Sequence, residues 1–186
     1  MCNGKTEEYY LKFLKSKLPK RFRQTTDVKI NQSKRPDLES LIKEAKRKKA
    51  KSEKERNPID EIWLVFDHDY DSKVSTVFEK AWQNHFKIAH SCICLEHWFL
   101  LHFENTGSKF SKCDEAEKKL KQFYPQYEKP GFPAFFEQIY RYQHKAISRA
   151  KTIEKNAPHD ILLSQRNPCF TIYRLVEQFD KFINKQ

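Results

Sequence analysis

Asp67 and Asp69 stand two residues apart at the end of the apolar run Ile62-Trp63-Leu64-Val65-Phe66, and that spacing is the most pointed chemical signal in the chain. Extended backbone sends alternate side chains to one side, so both carboxylates can enter a single crevice. In open α/β sheets that crevice, beyond the carboxyl ends of the strands, is where ligands bind. Two close anions repel, and a hard divalent cation such as Mg2+ or Mn2+ relieves the repulsion by taking oxygens from both. An ordinary acidic strand-to-helix turn, with Asp71 assisting the cap, accounts for the same residues. His68 lies between the two acids on the opposite side of extended backbone, which makes it a poor ligand.

Further carboxylates come from Glu7, in Cys2-Asn3-Gly4-Lys5-Thr6-Glu7-Glu8, and from Glu96, which opens a very apolar segment running to Phe103. Taken alone, Glu7 reads as an acid that compensates a helix dipole. Glu96 is harder to dismiss, because a carboxylate in a buried helix needs a metal, a cation or backbone N–H groups. His97 and His102 share that segment and read as core histidines. Lys145, Arg149 and Lys151 follow at near-helical spacing, with Lys145 and Arg149 on one face. They read as an exposed basic face or as phosphate-binding groups.

The elements that must position these groups follow from periodicity. Thr6 is the expected cap of a first helix whose inward residues are Tyr10, Phe13, Leu14 and Leu18, closed by Pro19. Val28 to Ile30 suits a short strand. Asp37 starts a helix on Leu38, Leu41, Ile42 and Ala45, which passes into the basic run Lys46 to Arg56. The run 62–66 is a strand covered on both faces. Ser72 caps a helix carrying Val74, Val77, Phe78, Ala81 and Trp82 inward, and a second buried strand spans Lys87 to Ser91. Strand, helix and strand of these lengths make a right-handed unit with parallel strands. Beyond Phe103 the pattern is helical: a helix after Ser111 to about Phe123, a long one from Phe135 to about Lys155, and a last one. For that last helix Asn167-Pro168 supplies the cap and first position, with Phe170, Tyr173, Leu175, Val176 and Phe179 inward.

With 186 residues the chain suits one domain, 1–186, with an α/β core over 1–105 and a mainly helical portion over 106–186 packed on it. Three glycines, widely scattered, exclude a Walker A loop or a dinucleotide fingerprint. A formal net charge of +11 favours a polyanionic partner, nucleic acid above all. No run approaches the ~20 apolar residues of a membrane span. Five cysteines without a secretory leader imply a reduced, cytoplasmic setting, and Cys92-Ile-Cys94 reads as buried free thiols.

Ordered matches across nearly the whole chain then resemble one family. Cys2-Asn3-Gly4-Lys5-Thr6-Glu7-Glu8-Tyr9-Tyr10 is similar to the C-E-G-x-T-E-x-x-Y-F motif of RloB-like proteins, and Asp67-His68-Asp69 to their strand-end D-x-D. Ser91 to Phe103, with Glu96, Trp98, Leu100, Leu101, His102 and Phe103, resembles their S-x-P-x-F-E-x-W-L-L-L-H-F block. Arg149-Ala150-Lys151 resembles a basic helix motif, and Asn167-Pro168-Cys169-Phe170-Thr171 the start of the family's final helix.

The resemblance implies a Toprim-like fold, with a central, mainly parallel sheet flanked by helices and a helical C-terminal part. It implies a magnesium-dependent nuclease, on DNA or RNA including tRNA, associated with antiphage defence and with an ABC/AAA-type ATPase partner. Asp67, Asp69 and Glu7 are then the expected metal ligands, with Glu96 completing the acidic cluster. Lys145, Arg149 or Lys151 is expected to neutralise charge on the phosphate during reaction. Two departures stand out. Asn3 occupies the position of the family's E-G glutamate, and the core strand expected before that motif is missing from the sequence. They leave a second expectation open, a nucleic-acid-binding or regulatory subunit that kept the fold and lost the chemistry.

Overall fold

The computed structural model describes residues 1–35, 37–67 and 73–184. His68, Asp69, Asp71 and Ser72, and with them half of the D-x-D pair and the proposed helix cap, lie outside the described residues. The fold is mixed α/β, with a small three-stranded sheet and many helices. β1 (Trp63–Asp67) pairs in parallel with β2 (Lys87–Cys92), and β2 pairs antiparallel with the short β3 (Cys169–Phe170), in the order β1-β2-β3.

The first residues lie along the outer edge of β1. Cys2 forms parallel bridges to both Val65 and Gln32. Val65 N–H donates to Met1 O at 2.8 Å and Asn3 N–H to Val65 O at 3.0 Å, while Cys2 N–H donates to Asn31 O at 2.9 Å. Backbone from Met1 to Asn3 therefore covers the outer edge of β1. The strand expected at Val28–Ile30 does not form; the pairing falls instead on Asn31 to Ser33.

Helices cover both faces of the sheet. On one side α3 (Leu38–Lys54) and α4 (Val74–Gln83) bury Leu41, Ile42, Ala45, Val77 and Ala81 against Leu64 and Phe66. Asp37 caps α3 by accepting from Ser40 N–H at 2.7 Å, the role that Asp takes when its carboxylate satisfies an orphan donor. On the other side lies a larger core, built around α5 (Leu95–Phe103) by α1 (Lys5–Ser16), α6 (Cys113–Phe123), α7 (Pro133–Tyr140), α8 (Gln143–Asn156) and α9 (Ile172–Asn184). A short α2 (Lys20–Thr25) follows α1. The strand parity of β1 is clean: Leu64 and Phe66 enter the smaller core, Val65 the larger. Asp67 shares the parity of Val65, which aims it at α1 and α5.

Four local expectations are corrected. Trp82 is 82 % exposed, because the inward stripe of α4 runs through Val74, Val77 and Ala81 and leaves Trp82 a step round the helix. The long helix from Phe135 is two helices, α7 and α8, although the buried spacing through Phe136, Ile139, Gln143, Ala146, Ile147 and Ala150 runs on without a break. Pro168 does not open the last helix; Cys169 and Phe170 pair with β2, Asn167 Nδ2 donates to Phe110 O at 2.9 Å, and α9 starts at Ile172. The cap of α1 is Gly4 rather than Thr6. Much of the aromatic content is internal: Tyr10, Phe99, Tyr127, Phe135 and Phe136 pack edge-on or tilted around one another.

Candidate acidic site

Three segments end at one place. β1 finishes on Asp67, α1 begins with Glu7 in its first turn, and α5 begins with Glu96 in its first turn. Two helix N-termini, each a partial positive charge, therefore meet the carboxyl end of a strand. Leu95 N–H, the first of α5, donates to the Asp67 carboxylate. Glu7 folds back over its own helix start and accepts from its own N–H. Gly4 is what makes room for it: a Cβ there would lie 2.3 Å from Glu7 Oε2.

Glu7 and Glu96 are buried at 4 % and 2 % exposure, a depth at which an unpartnered carboxylate is costly. Glu96 is held through Oε1, with a sulfur in contact with Oε2. Tyr127 Oη donates to Oε1 at 2.7 Å, Lys129 Nζ lies 3.6 Å from Oε1, and Cys113 Sγ lies 3.3 Å from Oε2. Burial first, and then the neighbouring charge of Asp67, push Glu7 up to about 8. Burial and then the charge of Glu96 push Asp67 up to about 7, against the opposing pull of Lys129. The three carboxyls thus feel one another.

That mutual repulsion fits a hard divalent cation. Burial first, and then neighbouring carboxylate charge, raise Asp67 and Glu7 towards neutral pH, and oxygen donors at strand and helix ends are the ligands that Mg2+ takes. Lys129, on the loop between α6 and α7, is half-exposed and brings one ammonium to the rim.

Of the residues singled out in the sequence, the structure brings together Glu7, Asp67 and Glu96. Asp69 lies outside the described residues. The basic trio goes elsewhere. Arg149 Nη1 donates to Leu101 O at 2.6 Å, capping the far end of α5, roughly 9 Å of helix rise from Leu95. Lys151 pairs with Glu177 of α9 at 2.5 Å and lies over the Tyr173 ring, and Lys145 lies over the Tyr142 ring. α8 leans on α5 and α9, and Arg149 and Lys151 serve those contacts. His97 and His102 are core histidines: their Nδ1 atoms lie 2.8 Å from Cys92 O and 3.1 Å from Phe99 O, and burial holds them down to about 4 and about 3.

Sequence reasoning missed Lys129, Tyr127 and Cys113. Lys129 and Tyr127 sit in a loop without periodicity, and Cys113 belongs to no spacing motif. Cys94, expected as a free thiol, forms a disulfide with Cys113, with Cα atoms 5.7 Å apart; Cys2, Cys92 and Cys169 are free. Their separation of 19 residues hid the pair, since α5 and the loop after it fold back before α6 begins.

The model of one family, described as RloB-like protein, matches residues 1–179. The chain belongs to the RloB-like family. The match reaches from the Gly4–Glu7 turn to α9, so each carboxylate of the site falls within it. No curated protein and no solved structure matches the RloB-like chain. No described helix is long and apolar enough to cross a membrane.

Proposed function

We propose that this RloB-like chain is a magnesium-dependent nuclease with a Toprim-like core, acting on DNA or RNA in antiphage defence. The observation that carries the reading is the convergence of buried Glu7 and Glu96 with partly buried Asp67, mutually repelling, where β1 ends and two helices begin. Glu7 and Asp67, with Asp69 as the D-x-D resemblance implies, would hold the ion, and Glu96 completes the acidic shell. When bound, Mg2+ or Mn2+ supplies Lewis-acid polarisation of a phosphoryl oxygen and a more acidic bound water.

The chain's own groups do the rest. Leu95 N–H fixes the orientation of Asp67, and Tyr127 Oη fixes that of Glu96. Glu7 stands one helical turn from Asn3, which cannot accept a proton, and is the group that takes one. Lys129 Nζ is the cation placed to meet a phosphate at this rim, the role first expected of Lys145, Arg149 or Lys151. The excess of basic residues favours a nucleic-acid substrate, with tRNA among the RNAs, and the family likeness supports a cytoplasmic role beside an ABC/AAA-type ATPase.

Asn3 favours a second reading, a binding or regulatory subunit without catalysis. Its N–H donates to Val65 O beside the acidic site, where the family motif carries a glutamate. Calorimetric titration of Mn2+ and Mg2+ separates the two, followed by incubation with plasmid DNA, single-stranded DNA and bulk tRNA. The nuclease reading requires cation binding and cation-dependent strand cleavage that Asp67→Ala abolishes. Salt-sensitive binding of nucleic acid with neither property leaves only the subunit.

A further inference from the structure

Cys94, Glu96 and Cys113 bring one ligand atom each within 4.8 Å of one another, and of the three only Glu96 belongs to the acidic site. Cys94 is the N-cap of α5, Glu96 lies in the first turn of the same helix, and Cys113 opens α6. Cys94 and Glu96 are buried and Cys113 is partly accessible, so the group has a closed back and an open front. In the structure the two sulfurs are joined. Lys129 Nζ lies at the front, 3.2 Å from Cys113 Sγ and 3.6 Å from Glu96 Oε1. A positive charge is thus already seated between sulfur and carboxylate, on a half-exposed side chain that also reaches Glu117 at 3.7 Å and can leave.

We propose that, once the disulfide is reduced, Cys94, Cys113 and Glu96 form a site for a thiophilic divalent cation of the zinc type. Two thiolates and one carboxylate make a mixed soft and hard donor set that suits Zn2+ and, as its spectroscopic substitute, Co2+, and leaves a fourth position open to water. Donor atoms of a tetrahedral zinc site lie roughly 3.3–3.8 Å apart, given bonds of about 2.0–2.3 Å. The three atoms need only side-chain rotation to reach that spacing, with Lys129 swinging towards Glu117. Formation of the site needs a dithiol reductant. Its two thiols supply the electrons and close into their own disulfide, the Cys94–Cys113 bond breaks, and each sulfur takes a proton that cation binding later releases.

The site shares Glu96 with the acidic cluster but does not rest on the nuclease reading. The test reduces the full chain with dithiothreitol, removes the reductant without air and titrates Co2+. One equivalent per chain should bind with thiolate-to-cobalt charge-transfer absorption, and Zn2+ should bleach it. The unreduced chain should give no such band. Cys94→Ser and Cys113→Ser should each remove the band, Glu96→Gln should weaken binding at least about tenfold, and Lys129→Ala should tighten it. Asp67→Asn should leave the band intact, which keeps this site apart from the Mg2+ site. Differential alkylation of the unmutated reduced chain decides the matter if a serine variant does not fold: Zn2+ should protect Cys94 and Cys113. A reduced, folded chain with no band, a band that survives both serine changes, or equal labelling of Cys94 and Cys113 with and without zinc overturns the proposal.

Discussion

Asp67 accepts a hydrogen bond from the backbone N–H of Leu95, so the last residue of β1 is tied to the first residue of α5. The bond lies at a helix N-terminus, where an anion is favoured, yet burial still pushes the carboxyl up to about 7. Asp67→Asn keeps the shape and removes the charge. It should abolish Mn2+ binding measured by calorimetry while leaving the melting temperature of the metal-free chain unchanged or higher, because one of three repelling carboxyls has gone. Unaltered Mn2+ affinity would remove Asp67 from the ligand set.

The stability of the metal-free chain should fall as pH rises. Glu7 and Asp67 bind protons more tightly when folded, about 8 and about 7 against ordinary values of 4.5 and 3.8. Where the native state holds more protons, stability decreases with pH. The contribution is whole below about pH 4 and is lost progressively up to about pH 8. Thermal melts in chelator between pH 5 and 8.5 should show the decline, and Mn2+ should restore stability most at the alkaline end. Glu7→Gln should flatten the curve; a curve of equal slope in that variant would place the proton elsewhere.

Gly4→Ala tests the fit under Glu7. Gly4 has φ of −122°, so alanine brings no backbone strain, but the new Cβ falls on the carboxylate of Glu7. The cheapest response is for the Glu7 side chain to move away. Mn2+ binding should weaken about tenfold, with a stability change below about 1 kcal/mol. Equal affinity in the variant would mean that Glu7 is not held where it is needed.

Asn3→Glu supplies the carboxylate that the family motif carries at this position. Asn3 is paired beside β1, so a longer acidic side chain can reach towards Asp67. The variant should bind Mn2+ about tenfold more tightly and cleave nucleic acid faster than the unmutated chain, as read by calorimetry and by gel assay. A gain in cleavage from an inactive parent would favour the regulatory reading of the natural chain.

Arg149→Met should act on stability alone. The guanidinium caps the last turn of α5 at Leu101 O, and its loss leaves that carbonyl and the helix dipole without a partner. A cost of about 1–2 kcal/mol follows, or a melting temperature lower by about 2–6 °C. Mn2+ affinity should not change. A selective loss of cleavage with unchanged stability would return Arg149 to the site.

The sequence carried the site's carboxylates better than its cations. A D-x-D at a strand end and a glutamate in an apolar helix are visible because burial of charge is exceptional, and both Asp67 and Glu96 lie where those signals point. Which face Asp67 takes was not legible, since Leu64, Val65 and Phe66 are all apolar and only the structure sorts them between two cores. Lys129 was invisible for the opposite reason: one lysine among many, in a loop, gains meaning only from where the loop returns. The basic spacing in α8 reads as helical, but spacing does not say what the cations meet: Arg149 goes to the end of α5 and Lys151 to an acid of α9. The division into α7 and α8 left no mark in the apolar pattern, which fits one continuous helix equally well.

Eight of the nine residues of α5 are buried, and Glu96 rides on that helix. An element enclosed on every side opens to solvent only when the whole molecule does. Amide protons of Trp98 to Leu101 should therefore exchange at the rate of global unfolding, slower than those of the surface helix α2. The acidic cluster is then as durable as the domain itself, and loss of cation binding on heating should coincide with loss of the fold.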